Sequence, residues 1–411
     1  MTDAVIASAV RTAVGKAPKG TLRATRPDEM AATVIQEALH RAPGIAPEEV
    51  EDVILGCAMP EGEQGMNVAR IASLRAGVPN SASAVTINRF CSSGLQAIAY
   101  AAERVMVGAA ETIIAGGTES MSLIPMGGNK IAPNPQLMQD YPDVYLSTGL
   151  VAENHAREAE VSREEQDAYA LASHERAIAA IDARRFKDEI APLDIKVVAP
   201  GNGSRPTVNA VQFDTDEGPR ADTSLEVLAG LRPAFRVGGS VTAGNSSQTS
   251  DGAAAVVLAD METALTMPKA VVFRSTAHVN DLLPMSGRDM TFLDGAARAW
   301  ADALDKAGLT LNDLSLVETH DCFTTAELME YEAMGLAEPG QGARVIMDGI
   351  SVKEGKLPIN PSGGLKSKGH PIGATGVSMH VLSAMQVRGE AGEMQVKDAN
   401  LAGLFNMGGA G

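Results

Sequence analysis

Two widely separated stretches of this chain share one plan, and that repetition restricts its fold more than any other feature. Ile87-Asn-Arg-Phe-Cys-Ser-Ser-Gly-Leu95 and Ile359-Asn-Pro-Ser-Gly-Gly-Leu365 both read as the end of a strand, a turn and the start of a helix, with a two-residue difference in the turn. Upstream of each lies a second apolar run, Asp52-Val-Ile-Leu55 in the first case and Leu314-Ser-Leu-Val317 in the other. A duplicated α/β unit is the simplest explanation. Strands alternating with amphipathic helices in each half predict mixed sheets covered by helices, and two halves sharing one helix layer would stack as α-β-α-β-α.

Between the halves, residues 121–250 are rich in Pro, Asn, Met and Asp and read as a loop-rich insertion, the kind of segment that carries ligand contacts. Ser162-Arg-Glu-Glu165 is a capping box opening a helix along which Leu171, His174, Ile178 and Ile181 recur at helical spacing. On that face His174 reads as a packing residue. Asp251-Gly-Ala-Ala-Ala-Val-Val-Leu258 returns to strand-like sequence. The expected organisation is 1–120 with 251–268 as the first half, 121–250 as the loop domain, and 269–411 as the second half.

The length of 411 residues and hydrophobic content of 45% suit a large buried core, and a formal charge of −17 opposes nucleic-acid and anionic-membrane partners. Three scattered cysteines form no disulfide framework and fit a reducing compartment. No run of 18 apolar residues is present, and the N-terminus lacks the basic region of a signal peptide. These features predict a cytoplasmic protein with no membrane association.

Against so few reactive side chains, their placement is informative. Cys91 follows a strand and precedes a helix whose first turn holds Ser92, Ser93 and Gly94, where free N–H groups and the helix dipole would favour a thiolate. A buried inert cysteine is the competing reading there, and it is the reading adopted for Cys57. His320 and Cys322 stand two apart at a strand end, so an extended backbone would point both to one side, and Glu318 shares that parity. His370 lies in the Gly-rich turn Gly364-Leu-Lys-Ser-Lys-Gly-His-Pro-Ile-Gly-Ala-Thr-Gly376, where backbone can approach a ligand and an imidazole could take the Cys91 proton. Lys366 and Lys368 read as solvated charges. The remaining histidines, His40, His155, His278 and His380, have no comparable setting.

Asn88 to Ile98, Val241-Thr-Ala-Gly-Asn-Ser-Ser247 with Asp251 to Ala255, and Asn360 to Gly376 together resemble the thiolases, over essentially the whole chain. The resemblance implies the duplicated five-layer α-β-α-β-α fold with an inserted loop domain. It also implies CoA-dependent cleavage of 3-ketoacyl-CoA, or the reverse Claisen condensation, through an acyl-Cys91 intermediate. His370 would then be the base for Cys91, Cys322 the second acid/base, and His320 an oxyanion donor. Arg220 and Ser247 match coenzyme A contacts, Met285 and Phe323 match the acyl pocket, and Ser147-Thr148 stands where the family has His-Met. No metal or permanently bound cofactor is implied, coenzyme A is a co-substrate, and a homodimer or homotetramer is expected.

The chain departs from the family where most members have Asn-Glu-Ala-Phe and a second cysteine in a Cys-x-Gly turn. Here His320-Asp-Cys-Phe323 and Leu404-Phe-Asn-Met-Gly-Gly409 stand instead, which is similar to the sterol-carrier-protein type. The family usually continues into one more strand after that glycine turn. Three alternatives stand beside this reading. One is a ketosynthase-like condensing enzyme; another is a non-catalytic acyl-CoA or lipid-binding homologue. The third, a structural zinc site of Cys91, His320, Cys322 and His370, is disfavoured by the wide sequence spacing of those ligands.

Overall fold

A computed structural model describes residues 2–42, 44–199, 206–267 and 269–409. Eleven strands are found among them: β1 Ala4–Arg11, β2 Gly15–Lys16, β3 Asp52–Gly56, β4 Ser83–Ile87, β5 Thr112–Ser120, β6 Leu193–Ala199, β7 Thr207–Phe213, β8 Ser250–Asp260, β9 Val271–Val272, β10 Leu316–Glu318 and β11 Ala402–Leu404. The main sheet has the order β4-β3-β5-β8-β1-β9, with β2 paired to β8. β3 runs parallel to β4 and β5, and β8 is antiparallel to both β5 and β1. The sheet is therefore mixed.

β5 and β8 sit at its centre, and their near-continuous apolar runs are what strands covered on both faces need. Side chains alternate between the two covers. Ile114, Ala255 and Val257 join Met30, Val34 and Ile35 of the helix Pro27–His40 on one face. Ile113, Val256 and Leu258 join Ile98, Ala102 and Val105 of the helix Ser93–Met106 on the other. The helix Thr375–Arg388 packs on Ser93–Met106 and on β1 and β8, and also touches β10 and β11. It thus belongs to both halves.

Beyond it, β10 and β11 pair in parallel, and Trp300, Leu328 and Tyr331 from the helices Asp294–Ala307 and Thr324–Ala333 pack against Val317 and Ile359. Five layers, α-β-α-β-α, result. The second sheet is smaller than the repeat implies, because Leu357-Pro-Ile-Asn360 makes only a bridge from Ile359 to Val317 instead of a strand. Pro358 and Pro361 have no N–H to extend that ladder.

The segment between β5 and β8 holds the helices Thr148–Glu158 and Arg163–Asp182 and the antiparallel pair β6–β7. The capping box forms as its sequence predicts: Ser162 N–H donates to Glu165 Oε2 at 2.8 Å and Glu165 N–H donates to Ser162 Oγ at 3.2 Å. Among the described residues no helix is long and apolar enough to cross a membrane.

Candidate active site

The turn that presents Cys91 is tied by its own polar side chains. Phe90 N–H donates to Asn88 Oδ1 at 2.8 Å, Arg89 N–H donates to Ser93 Oγ at 2.8 Å, and the Ser92 and Ser93 hydroxyls donate back to Arg89 and Phe90 carbonyls. Phe90 adopts φ of +47° in this turn, and Asn360, in the repeated element, adopts +45°. Cys91 is left 8% exposed. The backbone N–H groups of Gly409 and of Cys91 itself face the sulfur and favour a thiolate, but burial outweighs them and pushes the thiol up to about 12. The resting nucleophile is a thiol, contrary to the expectation from its helix N-terminus.

His320 and His370 meet with Nε2 atoms 3.2 Å apart and ring planes at 66°. Burial holds His370 down to about 3; burial, then the neighbouring His370, holds His320 well below the ordinary histidine range. Both imidazoles are neutral. Thr375 Oγ–H donates to Pro371 O at 3.0 Å, so its oxygen is left to accept from His370 Nδ1, 2.6 Å away. That bond puts the His370 proton on Nδ1 and leaves Nε2 with its lone pair, able to take a proton from Cys91. His320 then donates from Nε2 towards it, and its Nδ1 has no hydrogen-bond partner. Cys322 is partly exposed, and its thiol is pushed well above the ordinary range by burial and by Cys91 beside it.

The strand parity invoked for these residues does not hold. β10 ends at Glu318, Asp321 N–H turns back to Thr319 O at 3.2 Å, and Glu318 lies near Lys368 without a bond to His320. Convergence comes instead from side chains that the sequence does not single out. Asp321 accepts Leu365 N–H at 2.9 Å, Lys366 N–H at 3.2 Å and Tyr169 O–H at 2.9 Å, joining the His320–Cys322 loop to the His370 turn. Gly364 is required there, because a Cβ would overlap the Asp321 carboxylate and its φ is +71°. Asn360 Oδ1 accepts Thr319 N–H at 3.0 Å while its amide donates to Glu327 at 3.1 Å. The segment Asn245–Ser250 straps both loops: Ser247 N–H donates to Cys322 O at 2.7 Å, and Ser250 Oγ accepts His370 N–H at 2.9 Å.

Lys366 and Lys368 are buried, not solvated. Lys366 Nζ lies 3.0 Å from His174 Nε2, and Lys368 Nζ donates to Ser362 Oγ at 2.5 Å and covers the Phe186 ring. Burial pulls Lys366 down to about 8 and His174 to about 3. His174 is a packed residue, as expected. Cys57 is fully buried, against Glu119, and belongs to the core.

A cleft of about 740 Å³ opens onto Cys91, His320, Cys322 and Phe323, with Thr148 and Met407 to Gly409 also on its wall. Met285 does not line it; this side chain is 1% exposed and its thioether faces Asn154. Arg220 lies on a separate cavity of about 340 Å³ with His174, is paired to Asp222 at 2.8 Å, and sends its backbone N–H to His174 Nδ1. Ser247 is partly exposed and acts through its backbone, as above.

Two cysteines and two histidines drawn from both halves of a five-layer α/β fold define a class, and sequence comparison agrees with it: the chain belongs to the thiolase family. The thiolase N-terminal domain matches residues 4–262 and the thiolase C-terminal domain-like family matches residues 277–411. The chain is 43% identical to a 3-ketoacyl-CoA thiolase of Bacillus subtilis (strain 168) over 394 residues, 95% of this chain and 94% of that one. It is 39% identical to an acetyl-CoA acetyltransferase of Pseudomonas aeruginosa over 391 residues, 92% and 90% of the two chains. The crystal structure of the Bacillus anthracis acetyl-CoA acetyltransferase is similar with a TM-score of 0.76 and 32% identity, covering 100% of this chain and 97% of that one.

Proposed function

We propose that the protein is an acetyl-CoA C-acyltransferase that cleaves 3-ketoacyl-CoA with coenzyme A to acetyl-CoA and a shortened acyl-CoA, or runs the reverse condensation. The observation that carries the reading is the convergence of Cys91, His320 and His370, whose ligand-capable atoms lie within 4.8 Å of one another, with Cys322 on the same cleft. His370 Nε2 takes the Cys91 proton as sulfur attacks the 3-keto carbon. The C2–C3 bond then breaks, its electron pair forms the enolate of acetyl-CoA, and the Cys322 thiol protonates C2. The Cys322 thiolate then takes the coenzyme A thiol proton as that sulfur attacks the acyl-Cys91 thioester, and His370 returns its proton to the departing Cys91 sulfur, so that all three groups regain their resting state. The N–H groups of Cys91 and Gly409 hold the oxyanion at the sulfur. His320, and His370 once protonated, hold the enolate oxygen with a water. Such donors contribute roughly 3–4 kcal/mol each to lowering the barrier. Because thiol and imidazole both rest neutral, charge forms only as the carbonyl arrives.

Several finer readings accompany this one. The sterol-carrier-protein type is supported by Cys322 on the cleft and by the absence of cysteine in Leu404–Gly409. Arg220 and Ser247 are assigned to coenzyme A, and Phe323 to the acyl group. The division into 1–120 with 251–268, 121–250 and 269–411 is supported by the helices and strands above, with β9 reaching back to pair with β1; residues 1, 43, 200–205, 268, 410 and 411 lie outside the described residues. Self-association is supported by the edge strand β4, where Val85 is exposed beside an exposed Phe90. A cytoplasmic location is supported by the acidic charge and the free thiols.

The test is coenzyme A-dependent cleavage of acetoacetyl-CoA and of a longer 3-ketoacyl-CoA by wild type, Cys91→Ala and Cys322→Ala. Cleavage by wild type alone is expected. Inactivity of wild type on both substrates would favour the non-catalytic reading, and activity of Cys322→Ala would remove Cys322 from its acid/base role.

A further inference from the structure

Sequence spacing argues against a metal at the reactive residues, and the fold removes that objection. The two imidazole Nε2 atoms are 3.2 Å apart, and their ring planes cross at 66° instead of stacking. In a tetrahedral site with metal–nitrogen bonds of ~2.0–2.1 Å, the edge between two nitrogens is about 3.3 Å. The observed pair already spans such an edge. Cys91 Sγ lies within 4.8 Å of a ring nitrogen of each, and all three residues are buried.

The protonation pattern suits the same ion. His370 has its Nδ1 bonded to Thr375 Oγ, the outer contact by which ligating histidines fix their ring and free the other nitrogen. His320 holds its proton on Nε2 in the free protein, and that proton would have to move to the partnerless Nδ1 for Nε2 to ligate.

We propose that the reactive centre doubles as an inhibitory site for one soft divalent cation of the zinc class, held by Cys91 Sγ, His320 Nε2 and His370 Nε2. Binding exchanges the Cys91 thiol proton for the ion: Cys–SH and M²⁺ give Cys–S–M⁺ and a released proton. No electron is transferred. The metal occupies the sulfur lone pair and both imidazole nitrogens, so the loaded protein has neither nucleophile nor base. An acylated Cys91 has no thiolate to offer, and the acyl group and the ion therefore exclude one another. The inhibition, though not the binding, rests on the function proposed above.

Cobalt(II) provides the direct probe. Titrated into the protein in buffer free of thiols and coenzyme A, it should bind with one equivalent and show a thiolate-to-cobalt charge-transfer band together with the visible bands of a tetrahedral ion. Zinc should displace it. Affinity should fall at least about tenfold in Cys91→Ala and His370→Asn, and the charge-transfer band should vanish in folded wild type whose Cys91 has been capped with iodoacetamide, a control that needs no refolding. Equal binding by the capped protein, or binding without a thiolate band, would overturn the site. Zinc should also block ketoacyl-CoA cleavage reversibly, and a saturating acyl donor should slow its onset. Stoichiometric cobalt binding by a protein with no turnover would keep the metal site and remove the thiolase reading, whereas turnover without binding would do the opposite.

Discussion

Thr375 shows how one hydroxyl can set the direction of a proton. Its O–H is committed to Pro371 O, so it can only accept from His370, and that fixes which imidazole nitrogen is the base. Thr375→Val keeps the shape but removes the acceptor, and kcat should fall roughly 10–100-fold with little change in KM; Thr375→Ser should restore it. Alkylation of Cys91 by iodoacetamide separates this role from simple packing. With the thiol held at about 12, the wild-type rate should climb steadily between about pH 7 and 9 without a plateau. A titration with a plateau near neutrality would mean a resting thiolate and would contradict the neutral pair. Cys91, His320, Cys322 and His370 were legible as residues because each stands in an unusual local motif. Thr375 was not, since a threonine five residues after His370 has no local pattern to mark it until the turn folds back.

At the scale of elements, the site depends on a loop and a turn that share one carboxylate. Asp321 accepts two backbone N–H groups of the short helix Gly364–Lys368 and the Tyr169 hydroxyl from the inserted segment. Asp321→Asn would place an amide against those donors, with an expected loss of about 2–3 kcal/mol. Urea unfolding and kcat measured on the same preparation should fall together; an unchanged midpoint with lost activity would assign Asp321 to the chemistry instead. The strands β3 and β4 and the helix Arg163–Asp182 could be read from alternation and from the capping box. The burial of Lys366 and Lys368 could not. A lysine in a glycine-rich segment usually reaches water, and it is the packing of the helix Arg163–Asp182 over the short helix Gly364–Lys368, with Phe186 against Lys368, that covers them.

The whole molecule carries an unusual load of buried ionisable groups, and they act in opposite directions. Burial holds His174 and His370 at about 3 and His380 at about 4. An unfolded chain binds those protons near pH 6.5, so it is favoured increasingly as pH falls below that value, until the folded histidines also titrate. Glu318 behaves in reverse. Burial raises its carboxyl to about 8, so the unfolded chain ionises it from about pH 4.5 while the fold keeps it neutral, and stability is lost as pH rises to 8. Melting temperatures should therefore decline on the acid side below about pH 6.5, where three histidines outweigh Glu318, and again between about pH 6.5 and 8. Glu318→Gln should flatten the second decline and leave the first. A variant that tracks wild type across both limbs would show that Glu318 is ionised in the fold.

Between the two sheets, the backbone of Gly117 on β5 lies so close to the Gly373 carbonyl, three residues past His370, that any Cβ at position 117 would overlap it. No rotamer can relieve such a contact, because it involves the first atom of every other side chain. Position 117 is thus closed to drift: a lineage carrying this chain can vary the surfaces and even exchange core side chains, but every amino acid other than glycine at this point displaces the turn that holds His370. A residue that adds no side chain to the first sheet is thus, for inheritance, one that cannot be exchanged without moving that turn.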